Sequence, residues 1–163
     1  MPRSDGESRA LAPEGDIETA RVIATVSSIP LAVDLADYSL AERAFAPEIV
    51  IDYTSLWGGE PATMTPAELM AAWRAIVPGF DATWHQLSDA AATVAGEEAS
   101  ARAFVDGRHW IGEQVWRPVG EYHWRLRKHG GRWKVTHMTF RMTEEIGDRG
   151  LVQQAMERAV AIQ

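Results

Sequence analysis

Cysteine is missing from all 163 residues. That excludes disulfides, a thiolate nucleophile and any zinc or iron–sulfur site with a Cys ligand. No apolar run is long enough to cross a bilayer, and the opening segment MPRSDGESRALAPEG lacks the hydrophobic centre of a signal peptide. Positive charge is in the minority: 16 Lys and Arg face 23 Asp and Glu, a net charge of −7 with a sequence pI near 5.2. This balance argues against nucleic acid or an anionic membrane as partner, since both select clustered Lys and Arg. The densest basic stretch, RLRKHGGR at 125–132, alternates with apolar residues and crosses a Gly-Gly turn, so it reads as the outer face of a hairpin. A G-x-S-x-G elbow, a phosphate-binding loop and an H-x-x-H or H-x-x-x-H metal spacing are all absent. The expectation is a soluble, cytoplasmic protein.

What the chain does contain is enough for one core. With 46% hydrophobic and 24% charged residues it fits a single globular domain, expected over 16–163 behind a loose tail at 1–15. Asp16 can cap a first helix whose apolar face is Val22, Val26, Ile29 and Val33, with Pro30 bending it. The run SLAE at 39–42 has a capping-box pattern for a second short helix, and EIVIDYT reads as a strand with Tyr53 near its end. In TPAELMAAWRAIV, Thr65 as N-cap, Pro66 at the first helical position and Glu68 two residues on predict a helix to about Val77. From Phe80 the period becomes two, giving long strands in ATWHQLSDAAATVAG and EEASARAFVDGRHWIG. A hairpin then turns at Gly130 and Gly131, and a short helix closes the chain. Helices followed by a strongly curved antiparallel sheet define an α+β cone enclosing a pocket. Ala101, Ala103, Val105, Gly107 and His109 share one strand face, and such small residues beside a histidine leave room above the sheet.

The polar residues that fit this pocket are few. His129 sits at the turn and reads as solvated; His123 alternates against Tyr122 and Trp124 and reads as surface or interface. His137 shares parity with Trp133 and Val135, which reads as a buried structural histidine. His85 and His109 remain as acid–base candidates, because imidazole exchanges protons near neutral pH. Tyr53 can donate a hydrogen bond to a carbonyl, and Asp34, late in the first helix, can fix an imidazole tautomer.

AFAPEIVIDYTSL, TPAELMAAW, TWHQL, VDGRHW and HGGRWKVTHM together resemble the scytalone dehydratase branch of the NTF2-like, SnoaL-like superfamily, over about 17–141. The resemblance implies an NTF2-like cone, and elimination of water from a bicyclic β-hydroxy ketone without metal or organic cofactor. It implies that Tyr53 polarises a carbonyl, that His85 moves the proton near the departing hydroxyl, and that Asp34 pairs with His109. Val33 stands where the family has a second tyrosine, and Gly120 and Tyr122 fall near its serine and asparagine, so a different substrate is expected. Val33, Tyr122, Trp84 and Val105 are the expected substrate-binding residues. A SnoaL-like isomerase, a polyketide cyclase and a non-catalytic binding module remain as alternatives. The superfamily commonly forms dimers or trimers, and a sheet face bearing Trp110, Trp124 and His123 is the expected self-association surface.

Overall fold

Val22, Val26, Ile29 and Val33 recur at helical spacing, and all four are buried at 6% exposure or less. Their helix, α1 (Glu14–Asp34), packs that face against the sheet. The structure, a computed structural model, describes residues 14–162. Most of the expected tail therefore lies outside the described residues, and α1 begins two residues before Asp16. The helix runs on through Pro30 to Asp34 and stops in a Schellman turn. There Asp37 N–H donates to Ala32 O at 2.8 Å and Ala36 N–H to Val33 O at 3.0 Å. Ala36 holds the left-handed position, φ 56°, normally taken by glycine. Replacing Ala36 with Gly is expected to stabilise the fold by about 0.5–1 kcal/mol, read as a raised urea midpoint with an unchanged m-value.

Asp37 caps α2 (Tyr38–Arg43), accepting from Leu40 N–H at 3.1 Å, while Ser39 donates to the same carboxylate at 3.0 Å. The cap is thus two residues upstream of the one expected, because the Asp37 carboxylate reaches the free Leu40 N–H of the first turn. β1 (Phe45–Asp52) leads into a single-turn α3 (Thr54–Trp57), a short β2 (Ala62–Met64) and α4 (Pro66–Arg74). α4 has the full reciprocal Thr65–Glu68 capping box. It ends at Arg74, short of Val77, and a 3-10 turn over Val77–Gly79 accommodates Pro78. Gly79 cannot carry a side chain, because a Cβ there would lie 1.8 Å from Ala155 O. The closing helix α5 (Gly150–Ile162) sits directly on this turn.

Four long strands, β3 (Ala82–Ala95), β4 (Glu98–Ile111), β5 (Gln114–His129) and β6 (Arg132–Gly147), form an antiparallel meander. The six-stranded order is β2-β1-β6-β5-β4-β3. The sheet is mixed, not wholly antiparallel: β1 runs parallel to β6, pairing Val50 with His137 and Asp52 with Thr139. The chain reaches that pairing only after the whole meander, which supplies the long crossover a parallel pair needs. Alternation buries Ala101, Ala103, Val105 and His109 on the inner face, as the small-residue pattern predicts. A bulge intervenes in β6: Arg125 pairs with His137 and Leu126 with Val135, leaving Thr136 as the extra residue. Trp133 and Val135 therefore face inward, and His137 turns to the outer face instead of being buried with them. Among the described residues no helix is long and apolar enough to cross a membrane.

Candidate functional site

Between the helices and the inner sheet face lies a cavity of about 240 Å³. Its wall is aromatic and aliphatic, with Trp73, Phe80, Trp116 and Phe140 prominent, and it contains no Lys, Arg, Asp or Glu. Val33, Tyr53, His85, Val105, His109 and Tyr122 all line it.

Asp34 stands behind this wall at the last position of α1, which lies along β3. Its Oδ1 accepts from His85 Nδ1 at 2.7 Å and from the Thr83 hydroxyl at 2.8 Å, and its Oδ2 accepts from His85 backbone N–H at 2.7 Å. Burial by itself would favour the neutral acid, but the bonds and charge interaction with His85, together with Thr83, hold the carboxyl below its usual range. An ionised acceptor on Nδ1 fixes the tautomer: His85 carries its proton on Nδ1 and leaves Nε2 as a base.

His109 is a different kind of histidine. Nδ1 faces two carbonyl oxygens, Gly107 at 3.0 Å and Trp116 at 3.3 Å, so it must donate to both. The ring is 6% exposed and packs between Phe80 and Trp116, with centroids 4.9 and 4.8 Å away. Burial pushes its pKa down to about 3; nearby His85 adds to the shift, and the two carbonyls and Asp34 oppose it. His109 is therefore neutral at physiological pH. The expected Asp34–His109 pair does not form, since the register sets His109 opposite Thr83 and His85 opposite Gly107 on the edge strand nearer α1. The carboxylate meets the edge-strand histidine first.

The two imidazoles stand edge to face, 5.0 Å apart with planes at 89°. Gly107 makes room for them: a Cβ there would meet His85 Cδ2 at 3.3 Å, Pro118 O at 3.3 Å and His109 Cε1 at 3.4 Å. Tyr53 follows β1 at the cap of α3, lines the cavity and packs on Phe140 at 6.4 Å. Burial pushes its phenol up to about 12, with the Trp73 indole and the Tyr122 phenol opposing, so it remains a donor. Burial likewise raises Tyr122 well above the ordinary phenol range, with Tyr53 next in importance. At Gly120 a Cβ would fall 2.0 Å from Arg141 O, so no polar side chain fits where the resemblance placed one. Tyr122 is the neighbouring inward residue that supplies a hydroxyl.

Trp84 does not join this group. Strand alternation turns it to the outer face, 47% exposed, with the Arg108 guanidinium 4.9 Å over its ring. Trp124 moves in the opposite sense: it is 2% exposed and lines the cavity, so the outer sheet face carries His123 and Trp110 without it. Thr83, which the sequence reading passed over, shares the face of His85 two residues away, and period two was the available signal. Trp116 and Phe80 were also passed over, and only the folded meander shows that they enclose His109.

A family pattern described as a SnoaL-like domain matches residues 18–139, the stretch that carries every side chain of the site except Phe140. The chain belongs to the SnoaL-like family. A Kribbella flavida protein of solved structure superposes on this SnoaL-like chain with a TM-score of 0.74 at 22% identity, covering 86% of this chain and 95% of that one. A Novosphingobium aromaticivorans protein named as a candidate scytalone dehydratase gives a TM-score of 0.69 at 17% identity, with 82% and 89% covered. The hexachlorocyclohexane dehydrochlorinase LinA-type3 from Novosphingobium barchaimii gives 0.67 at 15% identity, with 80% and 90% covered. These superpositions establish the shared NTF2-like cone. No curated protein matches the SnoaL-like chain significantly.

Proposed function

We propose that this SnoaL-like protein is a lyase that removes water from a neutral β-hydroxy ketone of one or two rings. One observation carries the reading: an imidazole held by a half-buried carboxylate opens onto a cavity whose wall has no charged side chain. A neutral wall suits a neutral substrate, because a carboxylate or ammonium would be desolvated there without a partner. An apolar cavity of about 150 Å³ takes benzene. The cavity of about 240 Å³ therefore takes a somewhat larger ring system.

In the proposed reaction Tyr53 donates a hydrogen bond to the substrate carbonyl, which makes the adjacent C–H acidic. His85 Nε2 takes that proton, and the C–H electron pair forms the enolate. As the enolate collapses to the conjugated ketone the C–O bond breaks, and the proton on Nε2 passes to the departing hydroxyl as water. Asp34 stabilises the transient imidazolium. His109 has no exchangeable charge and presents Nε2 as an acceptor. Tyr122 offers a second donor beside Tyr53. The likeness to a dehydrochlorinase supports β-elimination as the reaction class, with a different leaving group.

Mass spectrometry tests the proposal on a panel of monocyclic and bicyclic β-hydroxy ketones, with wild-type protein and His85→Ala. Loss of one water by wild type only is the expected result. An isomer of unchanged mass would replace the lyase by an isomerase or cyclase, and binding without any product would leave a ligand-binding module.

A further inference from the structure

The outer face of the sheet holds a second concavity, of about 500 Å³, that the proposed chemistry does not use. Arg102 on β4, Arg125 on β5 and Arg141 on β6 line it, with His123, His137 and the hydroxyls of Ser100 and Thr139. Asp52 is its only acidic lining residue, against three arginines. This is an inversion of the chain as a whole, whose net charge is −7.

The pairing pattern sets these groups side by side: Arg102 stands directly opposite His123, and Arg125 directly opposite His137. An anion between the strands meets donors from both. Two acids lie nearby: Glu121 stands opposite Arg141 in the ladder, and the Thr54 bonds together with the Arg141 charge hold the Asp52 carboxyl below its usual range. Asp52 accepts from the Thr54 amide at 2.9 Å and hydroxyl at 2.7 Å, and Glu121 lies 3.4 Å from His123 Nε2. Several arginines elsewhere do have carboxylates: Arg108 and Arg117 share Asp106, Arg127 has Glu98 and Arg158 has Asp81, whereas Arg43, Arg74 and Arg132 have none within 4.0 Å among the described residues. Among the described residues, Arg102, Arg125 and Arg141 have no ion pair within 4.0 Å.

We propose that this groove binds a small molecule bearing phosphoryl groups, gripped by Arg102, Arg125 and Arg141. Guanidinium forks match the paired oxygens of a phosphoryl group, and Ser100 and Thr139 add neutral donors. A second copy related by a two-fold axis is a poorer occupant for the centre of this face. A two-fold contact sets a patch against itself, and here it would bring arginines onto arginines.

Isothermal titration with pyrophosphate, at ionic strength held constant with KCl, tests the groove in wild type and in the double variant R102Q/R125Q. Both substituted positions are exposed and lie outside the inner cavity, so equal thermal midpoints without ligand will confirm that the variant folds. Saturable 1:1 binding by wild type, weakened at least tenfold in the variant, is the expected result. No saturable heat, or equal affinity in the two proteins, overturns the proposal. Citrate binding tenfold tighter than pyrophosphate overturns the phosphoryl assignment. A wild-type dimer that the variant converts to monomer would give the face to a second copy instead.

Discussion

Asp34→Asn is expected to lower kcat for the proposed elimination by about 10²- to 10⁴-fold, the range seen when a histidine base loses its carboxylate or a general base is removed. KM should change little, because Asp34 stands behind His85 and does not line the cavity. The cause goes beyond lost charge. All three of its contacts are donors, from Thr83 hydroxyl, His85 amide and His85 Nδ1. Whichever way an asparagine sits, its NH₂ must face one of them, so a tilted ring or the wrong tautomer follows. The same mismatch should cost about 1–3 kcal/mol of stability, so turnover is to be measured below the variant's unfolding transition. Thr83→Val is the companion variant. It removes one hydrogen bond and leaves the charge, and should cost kcat no more than about tenfold. A kcat for Asp34→Asn within threefold of wild type would show that the carboxylate only anchors β3 to α1.

Acid is expected to destabilise the protein well above the range where carboxylates titrate. His109 has a folded pKa of about 3 against 6.5 for an unperturbed imidazole. Above pH 6.5 it is neutral in both states and the stability is complete. As pH falls, the unfolded chain gains a proton there and the folded chain does not, so stability drops until about pH 3, where both are protonated. The slope is about 1.4 kcal/mol per pH unit, and the total is on the order of 5 kcal/mol. Asp34 acts in the same direction but lower down: its depressed carboxyl contributes fully above its unfolded value of 3.8 and is lost as pH falls through the folded one. Urea midpoints at pH 6.5, 5.5 and 4.5 should fall steadily in wild type. In His109→Gln they should start lower, from lost packing against Phe80 and Trp116, but hold nearly constant over the same interval. Parallel curves for the two proteins would assign the acid sensitivity elsewhere.

Much of this site is legible in the sequence, and the exceptions have identifiable causes. The Thr65–Glu68 capping box and Pro66 fix α4 locally, so its start is readable without tertiary information. The face shared by Val105, Gly107 and His109 follows from period two, and the small residues announce the space above them. The partner of Asp34 does not follow from spacing, because it depends on which strand α1 crosses. His137 is misread for a related reason: one extra residue, Thr136, reverses the alternation established by Trp133 and Val135. Trp84 is another matter. Strand alternation alone sets it opposite His85, so the cavity role expected of it conflicted with the strand reading itself. The parallel β1–β6 pairing joins segments too distant in the chain for any local pattern to announce.

That pairing also dictates when the cavity can exist during folding. β1 ends at Asp52, and its parallel partner begins only at Arg132. The intervening meander must therefore be made before the two can meet, and loop closure of this length belongs among the slow events of small-domain folding. On a ribosome the helix bearing Asp34 and the strand leading to Tyr53 emerge first and wait, with their apolar faces uncovered, for β6. A chain interrupted before that strand keeps both histidines and lacks Met138 and Phe140, two residues of the cavity wall. Ligand binding thus reports a finished chain, and a bound small molecule would act as a brake on the unzipping of β6 from β1.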